Sequence, residues 1–279
     1  VNGADMDIRK AFDFSNQVAV ITGGGGILCS VIAEHFARCG GKAAIVDISV
    51  DAAQAVADRI NAAGGTAHAF QANVLDKESL ATMAGQVINK FGKIDILING
   101  AGGNKKEATT SPELPFAQLS ADAVRWVFDL NFMGTFLTCQ VICPLMFKQD
   151  SGRILNFSSM ASLRPLTRTP AYSAAKAAIT NFTQWLAVHT CQEYSSKIRV
   201  NALVPGFFLT EQNRYLLTDK ETGKMTPRGQ KVIDHTPAGR YGNPEDLAGP
   251  AMFLLSDAAQ FVHGTTLVVD GGMSAYGGV

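Results

Sequence analysis

Tyr172 and Lys176 stand four residues apart at the start of a long helical pattern. Residues i and i+4 share a helical face, so a phenol and an ammonium at this spacing lie within a few ångströms of each other. A free tyrosine ionises near pH ~10, too high for proton transfer at neutrality. A neighbouring cation stabilises the phenolate and draws that value toward working pH, which makes the pair a candidate general acid/base. Such a pair is common on solvated helices, so its meaning depends on what else the chain brings.

A second set of residues suits an anion. Thr22-Gly23-Gly24-Gly25-Gly26-Ile27-Leu28-Cys29 follows an apolar run and opens a helical pattern. Glycines permit a tight turn and let backbone approach a pyrophosphate, whose charge meets a helix N-terminus. The spacing fits T-G-x-x-G-x-x-C, with Cys29 where a glycine usually packs helix against strand. Asp47, about 20 residues further on, is placed to hold ribose hydroxyls and repel a 2′-phosphate; no arginine follows the glycine run. NAD is therefore expected in preference to NADP. Asn73 with Val74, and Asn99-Gly100-Ala101-Gly102-Gly103, follow later apolar runs and are expected at the same edge.

Elements must bring these residues together. Near-continuous apolar runs predict strands over Val18–Thr22, Ala43–Asp47, Thr66–Gln71, Ile94–Asn99, Arg153–Ser158, Ile198–Val204 and Thr265–Asp270. Helical patterns fall between them at Ile27–Cys39, Ala52–Ala63, Lys77–Lys90, Ala121–Phe147 and Ser173–Tyr194. The alternation predicts an α/β chain, a single-domain Rossmann fold over residues 1–279, with a doubly wound, mostly parallel seven-stranded sheet and helices on both faces. The polar segment from Phe207 to about Pro237 shows no strand pattern and is expected to act as a lid.

Composition excludes several classes. Lys and Arg total 24, as do Asp and Glu, so bulk electrostatic capture of nucleic acid or of an anionic membrane is not expected. The apolar run Phe132–Phe147, interrupted by Gln140 and Pro144, falls short of the ~20 residues of a membrane span. Val1 to Lys10 are polar, without the apolar stretch of a secretory signal. Cys29, Cys39, Cys139, Cys143 and Cys191 form no metal spacing and read as reduced, mostly buried thiols of a cytoplasmic protein; no metal is expected.

Taken in order, the TGGGGILC run, Asp47, NGAGG, Asn131, Ser158-Ser159, YSAAK and Pro205-Gly206-x-x-x-Thr210 closely resemble the short-chain dehydrogenase/reductase family, from about Gln17 to Gly272. The resemblance implies hydride transfer between nicotinamide and an alcohol or ketone carbon. It implies Tyr172 as acid/base and Ser159 as holder of the substrate oxygen. Lys176 would bind the nicotinamide ribose and lower the tyrosine pKa, and Asn131 would anchor a water in the proton relay. Cofactor contacts are implied at Thr22, Gly23, Gly25, Gly26, Ile27, Leu28, Asp47, Asn73, Val74, Asn99, Gly100, Ala101, Pro205, Gly206, Phe208 and Thr210, besides Tyr172 and Lys176. The glycine run departs from the family's commonest spacing, and Asn73 stands where an aspartate is usual.

Further stretches, among them Gly102-Gly103-Asn104, Phe128-Asp129-Leu130-Asn131 and Gln212-Asn213-Arg214, resemble a narrower group, the D-mannonate oxidoreductases of the short-chain type. That resemblance implies an anionic sugar-acid substrate and, with the wider family, a homotetramer packed through the long helices and the C-terminal strand. A carboxylate needs a cation, and an arginine fork suits it. The candidates are Arg164, Arg168 and Arg214, with polar partners at Asn104, Ser159, Gln212 and Asn213. His189, His235 and His263 are expected to be structural. Gluconate oxidised at C5 and a 3-oxoacyl thioester remain alternative substrates. A silent dinucleotide-binding sensor is the reading of another class, and it leaves Ser159, Tyr172 and Lys176 without a purpose.

Overall fold

The computed structural model describes residues 7–210, 217–219 and 222–278. The chain alternates β1 (Val18–Thr22), α1 (Ile27–Arg38), β2 (Lys42–Asp47), α2 (Val50–Ala62), β3 (Thr66–Gln71), α3 (Lys77–Phe91) and β4 (Ile96–Asn99). There follow α4 (Ala121–Phe128), α5 (Gly134–Gln149), β5 (Gly152–Phe157), α6 (Pro170–Glu193), β6 (Ile198–Pro205), α7 (Pro227–Asp234), α8 (Ala248–Leu255) and β7 (Thr266–Val269). The strands form one sheet in the order β3-β2-β1-β4-β5-β6-β7, every neighbouring pair parallel. The order reverses between β1 and β4. Loops leaving these two strands diverge there and open a crevice at their C-terminal ends.

Side-chain alternation sorts the sheet into two cores. Ala19, Ile21, Ile45, Ile98 and Leu155 face Ile32 and Phe36 of α1, Val56 and Ile60 of α2, and Leu254 of α8. Val18, Val20, Leu97, Ile154 and Val200 face Leu80 and Met83 of α3, Ile142 and Met146 of α5, and Leu186 of α6. Helices therefore cover both faces, as the unbroken apolar strands require.

The predicted strands hold, with ends shifted by one or two residues. Two expectations need correction. The helix read as Ala121–Phe147 continues to Gln149 and contains a wide π-type turn at Asp129–Met133 between α4 and α5. This stretch of 29 residues is by length and composition apolar enough to cross a membrane, contrary to the count made on its apolar run alone. It is a core helix: Asn131, Thr135, Thr138, Cys139, Ile142 and Met146 are buried against the sheet and its neighbours. Within the segment 207–237, Thr226 caps α7 by accepting from the Gly229 N–H at 3.0 Å.

Candidate active site

The end of β5 runs against the first turns of α6. Pro170, with its fixed φ, sits in the first turn of α6 and Thr169 precedes it. Tyr172 is half-buried; its ring packs with Ala108, Ala123, Val127 and Ala171. The Ser159 hydroxyl stands close enough to the phenol to lower its pKa, and it accepts from the Ala161 N–H at 3.2 Å. Lys176 is buried; its ammonium donates to the Phe157 carbonyl at 2.8 Å and lies 5.6 Å from the centre of the Tyr172 ring.

Burial raises the phenol pKa of Tyr172, and the Ser159 hydrogen bond opposes that rise. Burial also lowers Lys176 to about 8. The pair is adjacent as its spacing predicted. The expected lowering of the tyrosine by the lysine is not what dominates, because both charged forms lose hydration in the same dry corner.

Asn131 sits on the π-type turn, which swings it out of ordinary helical register toward the β4 loop. Its amide donates to Val127 O and Gly103 O, each at 2.7 Å, and its oxygen accepts from Gly103 N at 3.3 Å. The side chain is thus a clamp on the glycine loop, and a relay water would have to be held by other atoms. A Cβ on Gly102 would fall 2.6 Å from Asn131 Oδ1 and 3.4 Å from Lys176 Nζ. That loop needs glycine because catalytic-site side chains lie directly beneath it.

Beside this cluster opens a cleft of about 560 Å³, within the range of small-molecule sites. Its wall includes Gly23, Gly25, Gly26, Ile27, Leu28, Asp47, Asn73, Val74, Gly100, Ala101, Gly102, Phe157 and Thr210. The N-cap of α1 is Gly26, with no side-chain cap, whereas Ser49, Asp76 and Ser120 cap α2, α3 and α4 with side chains. An anion in the cleft would therefore meet N–H groups left open by the sequence. Asp47 ties the far end of the cleft, accepting from Gly25 N and Ser49 N at 3.1 Å each. It is at once a turn cap and a wall residue.

Several expected cofactor residues lie elsewhere. Thr22 is buried; its hydroxyl accepts from Gly100 N and Ala101 N at 3.3 and 3.4 Å, joining β1 to the β4 loop. Asn99 turns inward, as strand alternation requires, and donates to Asn156 Oδ1 at 2.8 Å; its own oxygen is buried without a hydrogen-bond partner. Pro205 belongs to β6, and Gly206 is needed by Asp270, whose Cβ would lie 2.6 Å from an added Cβ. Phe208 is a core residue bridged to Gly242, not part of the cleft wall. Asn73 does stand in the cleft wall, with its side-chain oxygen accepting from Leu75 N at 3.0 Å.

On the substrate side, Asn104 donates to Thr109 Oγ1 at 3.0 Å and so braces its own loop. Arg164 and Arg168 are exposed on the segment between Ser159 and Tyr172. The Glu113 carboxyl is held low first by the Ser111 hydroxyl, with the charge of Arg168 a lesser cause. The Arg168 carbonyl accepts from Thr110 N at 2.9 Å, tying the two loops together. Gln212, Asn213 and Arg214 lie outside the described residues. Sequence reasoning missed Ser158 and Thr180, which bind each other behind the site at 2.8 Å. The signal was present: Tyr172, Lys176 and Thr180 form a stripe at i, i+4 and i+8.

A family model described as enoyl-(acyl carrier protein) reductase matches residues 27–274. An uncharacterized oxidoreductase of Haemophilus influenzae is 44% identical, covering 98% of this chain and 99% of its own length. The chain belongs to the short-chain dehydrogenase/reductase family. Within these oxidoreductases it is also similar to the 7α-hydroxysteroid dehydrogenase of Escherichia coli, at 35% identity over 92% of this chain and 93% of the relative. The crystal structure of a candidate D-mannonate oxidoreductase from Haemophilus influenzae, with bound NAD, matches this short-chain dehydrogenase at a TM-score of 0.91. Their identity is 43%, over 96% of this chain and 99% of that one.

Proposed function

We propose that this short-chain dehydrogenase is NAD-dependent and interconverts a secondary alcohol and ketone of a sugar acid, with D-mannonate and D-fructuronate as the pair. The observation that carries the reading is that the Ser159–Tyr172–Lys176 cluster borders the glycine-lined cleft through Phe157 and Gly102. The cleft suits a dinucleotide: uncapped helix N–H groups stand at one part of its wall and the Asp47 carboxylate at another. Gly23, Gly25, Gly26, Ile27, Leu28, Asp47, Val74, Ala101 and Thr210 would hold it. NAD, when bound, supplies the hydride acceptor or donor.

The chain's own residues handle the proton and the oxygen. Ser159 holds the substrate oxygen, and the Tyr172 phenol takes or returns its proton. Lys176 favours the phenolate whenever it carries its charge. Arg214 is the first candidate cation for the carboxylate, with Arg164 and Arg168, exposed on the segment between Ser159 and Tyr172, as the others. The segment 207–237 serves as lid. A cytoplasmic homotetramer is proposed from the family resemblance, supported by the apolar face of α6 discussed below.

The test follows NAD+ reduction over D-mannonate, D-gluconate and neutral hexitols with wild-type protein and Tyr172→Phe. D-Mannonate should be oxidised, and Tyr172→Phe should lose on the order of 10²–10⁴-fold in turnover while still binding NADH in a fluorescence titration. Turnover that survives Tyr172→Phe would overturn the acid/base assignment. Activity confined to hexitols would overturn the sugar-acid assignment.

A further inference from the structure

Phe157, Ser158 and Ser159 are consecutive, and each engages the Tyr172-Lys176-Thr180 stripe of α6. The Phe157 carbonyl accepts from Lys176 Nζ at 2.8 Å. Ser158 Oγ donates to the Lys176 carbonyl at 3.0 Å and lies 2.8 Å from Thr180 Oγ1. Ser159 stands beside Tyr172, whose pKa its hydroxyl lowers. A serine hydroxyl has one proton; with that proton on the Lys176 carbonyl, the Thr180 hydroxyl must donate to Ser158. Ser158 is 3% exposed. Thr180 is only partly buried, but the Ser158 hydroxyl is shut off from water, so a rearrangement that broke its bonds would strand it without a partner. Neither residue lines the cleft, so neither touches what binds there.

We propose that Ser158 and Thr180 are positioning residues that lock the turn of α6 carrying Lys176, and so fix the reach of its ammonium to Tyr172. The inference rests on the acid/base reading of Tyr172 given above. A lysine side chain has four rotatable bonds and on a loosened turn would swing toward solvent. Its charge would then act on the phenol from further away and through water, and the phenolate would lose support.

Thr180→Val keeps the shape and removes the hydroxyl; Thr180→Ser keeps the hydroxyl. In Thr180→Val, kcat/KM for alcohol oxidation should fall about 3–10-fold, the effect of one hydrogen bond. The limb of its pH profile that reports the phenolate should move to higher pH by about half a unit. Thr180→Ser should stay within about 2-fold of wild type. In the protein without cofactor, NMR titration of the Lys176 ε-carbon should move up from about 8 toward the ordinary lysine value in Thr180→Val. Ser158→Ala should repeat these effects, with thermal denaturation checking that it folds.

The proposal is overturned if Thr180→Val keeps the wild-type pH profile and lysine titration, whether or not its activity or melting temperature drops. A purely structural role would produce that pattern. A Tyr172→Phe enzyme that remains active would instead remove the acid/base reading beneath it, so the two failures are distinguishable.

Discussion

Tyr172 and Lys176 show how one environment sets two ionisations against their uses. Burial favours the neutral phenol and the neutral amine alike; Ser159 offsets it for the phenol, and the Phe157 carbonyl accepts from the ammonium. Lys176 has a stability consequence. Its folded pKa of about 8 lies below the ordinary 10.5, so between these values the unfolded chain binds more protons and stability from this group rises with pH. Below pH 8 the cost of the buried ammonium is fully present. Lys176→Met should therefore stabilise the protein at pH 7 by about 1–3 kcal/mol while abolishing turnover, and the gain should fade toward pH 10.5. Urea denaturation at the two pH values measures this, and a difference independent of pH would refute it. Cys29 illustrates the opposite case. Burial pushes its thiol up to about 12, so it lines the cleft as a neutral packing atom.

At the scale of elements, the β4 loop is shaped by what packs under it. A Cβ on Gly100 would fall 2.1 Å from Cys29 Sγ and 2.9 Å from the Thr22 carbonyl, but 3.7 Å from Cys29 Cβ. The thiol on α1 thus fills the space that the glycine of the β4 loop leaves, which accounts for the cysteine at a position where glycine is usual. Gly100→Ala should cost about 1–3 kcal/mol. Adding Cys29→Ala should return roughly half of that, with Thr22 O still crowding the new methyl. A double-mutant cycle in thermal denaturation reads the coupling, and equal losses in the single and double variants would exclude it. The π-type turn works the same way. It costs the helix regular bonding and in return places Asn131 on Gly103.

Across the whole molecule, α6 presents Trp185 and Val188, and Tyr194 just past its end joins them, at 54%, 56% and 53% exposure. Trp185 stacks on Phe182 and His189, while Tyr194 stacks on Phe147 of α5 at 3.7 Å. An aromatic face of this kind is a common mark of a protein interface. Under the proposed homotetramer, Trp185→Asp should produce a smaller species in light scattering with the secondary structure intact. A wild-type protein that is already monomeric would remove the proposal.

What the sequence determined by itself was periodic or local. Unbroken apolar runs such as Val18–Thr22 and Ile96–Asn99 announce strands buried on both faces, and their alternation with helices leaves one sheet architecture. The i, i+4 spacing of Tyr172 and Lys176 guarantees their adjacency, and the glycine run after β1 marks the cleft. Other features waited on tertiary structure, because they depend on which surfaces meet. Strand alternation sends Asn99 into the core, and packing claims Phe208 and Gly206 although their motif points to a cofactor. The Arg168 carbonyl is taken up by Thr110 N, more than fifty residues away in sequence. The ionisation of Tyr172 and Lys176 belongs to this second group as well: spacing makes them neighbours, and only the dry corner between β5 and α6 decides which charges they can hold.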